Sequence, residues 1–358
     1  MTVATIAAMT TAPPPELLLG RPEFAADLAV AGRWVQGRRV LITGAAGSVG
    51  WPLAHALLRL QPELLLLLDH HEHSLYSLER SLGAARAGLV YELSDARDDA
   101  RLARLFAGYR PDVVVHLAAA KHVPYGERFP EGAVESNVLA TAALLRCAGD
   151  CGVDTLVYPS SDKSVAPPSL YGATKRLAEA LVQRCAAGRH WYVARFVNII
   201  GTRGSVIETF SQQLHAEEAL SVTDTRMTRY WMSMAEALWL LVAGQAVASG
   251  EVVMPACGDA IPVLETARRL AAWYRPETDP YPIAVTGIRP GERLHEVLLS
   301  RNERFEGSDR GLRAVRTVRP PASLATVDEV VAELRGLVAR GARDDLRALA
   351  MRAADSLQ

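Results

Sequence analysis

Arg38-Arg-Val-Leu-Ile-Thr-Gly-Ala-Ala-Gly-Ser-Val-Gly50 decides how this chain folds. Its first half is a short aliphatic, β-branched run. Its second half is a glycine turn, after which apolar residues recur at helical spacing from Leu53 to Leu60. The glycines have separable physical roles: Gly44 permits the tight turn, Gly47 lets backbone approach a pyrophosphate, and Gly50 lets the helix pack on the strand. Ser48 and Val49 complete the turn, so that the helix N-terminus faces an anion. A second aliphatic run, Leu64 to Leu68, ends at Asp69, 19 residues beyond Gly50, where a dinucleotide fold places its ribose-binding carboxylate.

Strand-helix alternation continues outward from this unit. Leu89 to Leu93 precedes Ser94-Asp95, Val113 to Leu117 precedes Ala118-Ala119-Ala120, and Leu156 to Tyr158 precedes Pro159-Ser160-Ser161. Helical stretches separate them at Ala100 to Gly108, Gly132 to Cys151 and Tyr171 to Cys185. The pattern predicts an α/β fold: a Rossmann-type, doubly wound parallel sheet with ligands at the carboxyl ends of its strands. Asp95, Ala118 and Ala119 then join the glycine turn and Asp69 as cofactor contacts. A 2′-phosphate beside Asp69 would meet like charge, and no Arg follows closely, so NAD is expected rather than NADP.

The predicted organisation is an N-terminal tail and linker over 1–36, the NAD-binding domain over 37–200 with a return segment near 225–245, a smaller substrate-binding lobe over 201–330, and C-terminal helices over 331–358. Residues Met1 to Pro15 are expected to be a loose tail. A formal charge of −1 with mixed signs provides no basic stripe for nucleic acid or an anionic membrane. The longest apolar run is far below the roughly 20 residues that span a bilayer, so a soluble, cytoplasmic chain is expected. Four scattered cysteines suit buried thiols better than a disulfide framework. Cys147 and Cys151 lack a matching ligand pair, and His70, His71 and His73 suit a solvated turn; no metal is expected.

Tyr171-Gly-Ala-Thr-Lys175 puts a phenol and an ammonium on one helical face. A lysine there would lower the phenol's pKa and could also hold the nicotinamide ribose. Its position shortly after a strand end carrying Ser160-Ser161-Asp162-Lys163 lifts it above a chance surface pair.

The segments Asp112 to Pro124, Ser160 to Arg176, Gly201 to Val206 and Met227 to Met232 resemble the CapD-like, inverting UDP-N-acetylglucosamine 4,6-dehydratases of the extended short-chain dehydrogenase/reductase superfamily. The similarity runs from Leu19-Gly-Arg21 to Arg289-Pro-Gly-Glu292 and a following helix, and Leu18 to Pro22 resembles the linker before the catalytic half of membrane-bound members. The resemblance implies a lyase of polysaccharide biosynthesis that acts on a UDP-sugar and assembles as a homo-oligomer. Tyr171 would deprotonate the sugar O4 while NAD takes the C4 hydride. Lys163 would remove the C5 proton and Asp162 would protonate the departing O6, with hydride returning to C6. Lysine rather than Glu after Asp162 marks the inverting group, and a basic lysine requires a depressed pKa, from burial or from Lys175 nearby. Ser161 would bond the reacting hydroxyl. Arg229 and Arg289 would clamp the diphosphate with Asn198 as a neutral donor, Glu292 would accept from the uridine ribose, and Lys121 and His122 would contact the sugar.

The chain follows the short-form pattern at Tyr171, has Pro159-Ser160-Ser161 where Ile-Ser-Thr is usual, and has Ala140 for a common glycine. A 4-epimerase or 5,6-dehydratase would share the first oxidation, although simple epimerisation needs no C5 base. A non-catalytic NAD sensor would need none of the four catalytic side chains. In calorimetry NAD(H) is expected to bind more tightly than NADP(H); the reverse order would remove the reading of Asp69.

Overall fold

Six segments form the parallel strands β1 (Arg39–Thr43), β2 (Leu64–Asp69), β3 (Leu89–Leu93), β4 (Val113–His116), β5 (Thr155–Ser161) and β6 (His190–Phe196). The computed structural model describes residues 12–24, 27–83, 88–244, 250–309, 312–317 and 326–358. Strands covered on both faces need uninterrupted apolar runs, and β4 and β5 are buried at every position. A seventh strand, β7 (Val252–Pro255), joins β6 in parallel, and the hairpin β8 (Glu303–Asp309) and β9 (Leu312–Thr317) closes that edge, β9 running antiparallel to β7.

The nine strands lie in the order β8-β9-β7-β6-β5-β4-β1-β2-β3. Chain direction across the sheet reverses between β1 and β4, where Thr43 pairs opposite His116. A crevice opens outside the carboxyl ends at such a switch point. This is the expected doubly wound Rossmann-type sheet. Beneath the crevice the Thr43 hydroxyl meets His116 Nδ1 at 2.7 Å, and Thr141 meets His116 Nε2 at 3.2 Å. Burial pushes this imidazole down to about 3, so it is neutral.

A second, smaller core gathers Ile207, Phe210 and Leu214 from the helix Val206–His215 and Ala267, Leu270 and Ala271 from the helix Val263–Tyr274. Leu18 and Leu19, which the sequence placed in a linker, are buried in it. They come from a short helix, Pro15–Leu19, and Arg21 beyond it donates to both carboxylate oxygens of the buried Glu236, at 2.6 and 3.0 Å. Of the expected loose tail, residues 1–11 lie outside the described set. The helix Met234–Ala243 returns to the large core through Ala237, Leu240 and Leu241, with Ser233 and Glu236 forming a capping box.

Four buried charges join the helix Leu170–Cys185 to the sheet. Arg195 on β6 uses all five N–H groups: two reach Glu179 at 3.0 and 2.8 Å, two reach Glu303 at 2.9 Å, and one reaches the Leu298 carbonyl at 3.2 Å. Arg176 bonds Glu179 and Glu303, both at 3.0 Å, and the Leu357 carbonyl at the end of the last helix, Arg343–Ser356. Glu179 also accepts from Ser164 at 2.7 Å. The arginines hold both carboxyls below the usual glutamate range against the opposing effect of burial.

A group whose folded pKa is depressed stabilises the fold above its unfolded value and loses that contribution as pH falls. The network therefore weakens below the ordinary glutamate value of 4.5. Glu303→Ala leaves a buried guanidinium short of partners and should lower the unfolding free energy by about 3–5 kcal/mol in a urea titration. A loss under about 1 kcal/mol, as for a surface pair, would contradict this placement.

Candidate functional site

The glycine turn is shaped by contact as well as by conformation. Gly44 has φ +68°, and a Cβ there would lie 2.7 Å from the Ala118 nitrogen at the end of β4; one on Gly50 would lie 2.3 Å from the Gly44 carbonyl oxygen. A Cβ on Gly47 would meet only the Gly44 oxygen, at 3.1 Å. Asp69 accepts from Ala46 N and His71 N, both at 2.9 Å, and so fixes the turn against the end of β2. Close packing at two glycines, an open third and a carboxylate at the next strand end fit a dinucleotide.

The turn forms one end of a cavity of about 1070 Å³. Gly44, Gly47, Ser48, Val49, Gly50, Asp69, Asp95, Ala118 and Ala119 line this end, and Ser161, Lys163, Tyr171 and Lys175 line its middle. Lys121, His122, Asn198, Arg229, Arg289 and Glu292 line it towards the smaller core. Asp95 is held by Arg97 with contacts down to 2.6 Å, which lowers its pKa. One sequence-derived residue is set apart: Asp162 has no exposure and does not line the cavity. Its Oδ1 accepts from Ser161 and Lys163, both at 3.0 Å, while its Oδ2 has no partner. The proposed acid thus stands behind the proposed base.

Local sequence explains the middle of the site. β5 ends at Ser161, a short 3-10 turn carries Asp162–Ser164, and Ser169 caps the helix Leu170–Cys185 by accepting from Gly172 N at 3.2 Å. A Cβ on Gly172 would lie 2.1 Å from the Lys163 carbonyl oxygen, so this glycine sets how near the helix approaches the turn. Asn137 sits in a π-helical turn, Glu135–Leu139, and bonds Ala120 N and O at 2.8 and 2.9 Å and Thr174 at 2.9 Å. It ties the loop after β4 to the tyrosine helix.

The electrostatics depart from the sequence reading in two ways. Burial raises the Tyr171 phenol above its ordinary value, and the opposing cation is Lys163, assisted by a hydrogen bond with Ser161. Lys175 instead donates to the Pro159 carbonyl at 2.6 Å and lies 4.2 Å from the Tyr158 ring centroid; burial takes it down to about 7. Lys163 was expected to be depressed. Burial does pull it down, but Asp162 and Glu296 outweigh burial and hold it above the ordinary lysine value.

Glu296 was missed by the sequence reading. It lines the cavity with its side chain 3% exposed, and its Oε1 lies 3.5 Å from Lys163 Nζ and 3.6 Å from Arg229 Nε. The helix expected after Glu292 does not form: residues 293–300 are irregular. Their carbonyls serve distant donors instead, Leu294 taking Thr228 N at 2.9 Å and Arg229 at 3.2 Å, and Leu298 taking Arg195. The only sequence signal for Glu296 was its spacing of four from Glu292. Arg203, quoted in a motif without a role, donates to Ala46 O at 2.8 Å and accepts from Lys121 at 2.7 Å, bridging the lobe to the glycine turn. Trp231 also lines the cavity, with a buried indole N–H lacking a partner. Glu292 is taken by Arg289, at 2.8 Å on an exposed edge.

Among the described residues no group of His, Cys, Asp and Glu could hold a metal, and no helix is long and apolar enough to cross a membrane. Pen from Bacillus thuringiensis has a similar solved structure, with a TM-score of 0.72 and 25% identity, covering 80% of this chain and 90% of that one. An inverting UDP-N-acetylglucosamine 4,6-dehydratase of Campylobacter jejuni is 30% identical over 275 residues, 75% of this chain and 79% of the relative. The probable polysaccharide biosynthesis protein EpsC of Bacillus subtilis is 37% identical over 294 residues, 80% of this chain and 49% of the relative, so the chain spans about half of that protein's length. The model of a family described as polysaccharide biosynthesis protein matches residues 40–315. On that match, which covers most of the sheet and both cores, the chain belongs to this family of polysaccharide biosynthesis proteins.

Proposed function

We propose that the chain dehydrates a UDP-N-acetylhexosamine, with UDP-N-acetylglucosamine foremost, to a 4-keto-6-deoxy sugar with inversion at C5, using NAD. The observation that carries this is the placement of an amine, Lys163, beside the Tyr171 phenol at one strand end, between the glycine turn and the cationic lobe. Bound NAD would accept a hydride from C4 and return it to C6.

The chain's own residues would do the rest. Tyr171 takes the O4 proton as the phenolate, the form that the positive charge of Lys163 favours, and becomes the neutral phenol. Lys175 holds the Pro159 backbone and can turn a donor to the nicotinamide ribose. A ketone at C4 acidifies C5, and Lys163, the amine on the cavity wall, would take that proton. Asp162 holds Lys163 and Ser161 from behind. Arg229, on the lobe wall, and Arg289, at the edge, would meet the diphosphate, with Asn198 Oδ1 3.3 Å from Lys163 Nζ orienting the base.

Proton NMR of the product from UDP-N-acetylglucosamine should show a 6-methyl, 4-keto sugar carrying solvent deuterium at C5 when the reaction runs in heavy water. A galacto epimer or a 6-methylene product would overturn the proposal. Lys163→Ala and Tyr171→Phe should each lower kcat by about 10²–10⁴-fold while retaining NAD. Turnover preserved in both variants would favour a non-catalytic, NAD-sensing role.

A further inference from the structure

Between the short strand Asn198–Ile199 and the helix Val206–His215 of the smaller core, the chain reaches across to the glycine turn. Three hydrogen bonds hold this crossing. Arg203 N donates to Ser48 Oγ at 3.1 Å, the Arg203 guanidinium donates to the Ala46 carbonyl at 2.8 Å, and Lys121 Nζ donates to the Arg203 carbonyl at 2.7 Å. Gly204 has φ +69°, and a Cβ there would lie 2.5 Å from His122 Cε1, so the loop is packed against the imidazole as well as bonded. Thr202 to Ser205 line the same cavity as Gly47, Ser48 and Val49.

Charge along this crossing is unbalanced. The guanidinium bonds a neutral carbonyl, and among the described residues no carboxylate lies within ion-pair reach of it. The Lys121 ammonium stands nearby. Burial, together with the Arg203 charge, pushes that lysine below its ordinary value against the pull of Glu208. Two cations that repel each other, close to the backbone amides that open the helix Gly50–Arg59, both gain when an anion settles beside them. In a dinucleotide held by a glycine turn, the pyrophosphate is that anion.

We propose that Arg203 is a cofactor-retaining residue: its guanidinium serves the dinucleotide pyrophosphate, and its loop straps the bound dinucleotide to the glycine turn. This rests on the dinucleotide reading above and is independent of which sugar reacts. One arm of the guanidinium keeps the Ala46 carbonyl while its remaining N–H groups serve phosphate oxygens, a division that a planar fork allows. Ser48 and Lys121 meanwhile keep the loop docked on the turn. For the dinucleotide to leave, the phosphate contact has to be given up and the bonds to Ala46 and Ser48 opened, which makes release slow. A hydride that leaves a sugar and returns to it within one turnover requires no exchange of cofactor, so slow release does not limit such a reaction.

The test is ligand binding and release in wild type, Arg203→Met and Arg203→Lys. Calorimetry measures the affinities of NADH, ADP-ribose and UDP, and displacement of NADH by excess ADP-ribose, followed by nicotinamide fluorescence, measures the release rate. Arg203→Met keeps the length and removes the charge. It should weaken NADH and ADP-ribose by at least about 10-fold and speed NADH release by a similar factor, with UDP within about 3-fold of wild type. Arg203→Lys should fall between, because an ammonium keeps the charge and loses the fork that reaches carbonyl and phosphate together. NADH affinity and release within about 2-fold of wild type in Arg203→Met would overturn the assignment. A loss for UDP as large as that for NADH would also overturn it, by giving the guanidinium to the sugar nucleotide. Should Arg203→Met fail to fold, Arg203→Lys decides: unchanged NADH release overturns the proposal. If wild type binds neither NADH nor ADP-ribose, the dinucleotide reading fails instead, which is a distinct result.

Discussion

Arg195 is the point on which the working geometry hangs. An arginine with no exposure must satisfy every donor or forfeit several kcal/mol, and it does so with Glu179 and Glu303. Glu179 reaches through Ser164 to the turn that carries Lys163, while Arg195 itself and Glu303 hold Leu298 and Ser300, the residues that follow Glu296. The same ion network thus grips the two chain segments whose side chains meet in the cavity. A hydrophobic cluster could have glued these elements together as firmly, but fixed lengths and directions come from hydrogen bonds to charged groups.

Charge alternates from behind the cavity wall into the cavity: Asp162, Lys163, Glu296 and Arg229 follow one another at 3.0, 3.5 and 3.6 Å. Such a row is sensitive to its ends. Asp162 anchors one end, fully buried in the 3-10 turn that follows β5. Arg229 closes the other end on the lobe, beside the cavity where an anion would enter.

The sheet was legible because strands buried on both faces are uninterrupted aliphatic runs, and because glycines forced by contact leave a spaced signature. Gly44 and Gly50 stand where a Cβ would strike backbone. The lobe was far less legible: pairs such as Thr228–Arg229 with Ile261–Pro262 are two residues long and have no period to read. Leu18 and Leu19 looked like linker because their partners lie about two hundred residues or more away, on the helices Val206–His215 and Val263–Tyr274. The charge state of Lys163 was misjudged for the same reason. The sequence displayed Asp162 and Lys175 as neighbours, but the balance is set by Asp162 together with Glu296, which is brought in by a segment whose carbonyls answer to Arg195 and Arg229 rather than to a helix of its own.

Gly172 has a consequence for how such a site can diversify. Because its missing Cβ is occupied by the Lys163 carbonyl oxygen, the turn and the helix start are spaced like two faces of a closed vice. A larger residue at 172 cannot be admitted without displacing the Lys163 backbone. On the dehydratase reading, adaptation to a different sugar would fall to other lining residues, such as Thr223, Met227 and the neighbourhood of Arg289, where short strands and irregular chain accept change. One side of the cavity would then be fixed by packing, and the other left free to vary.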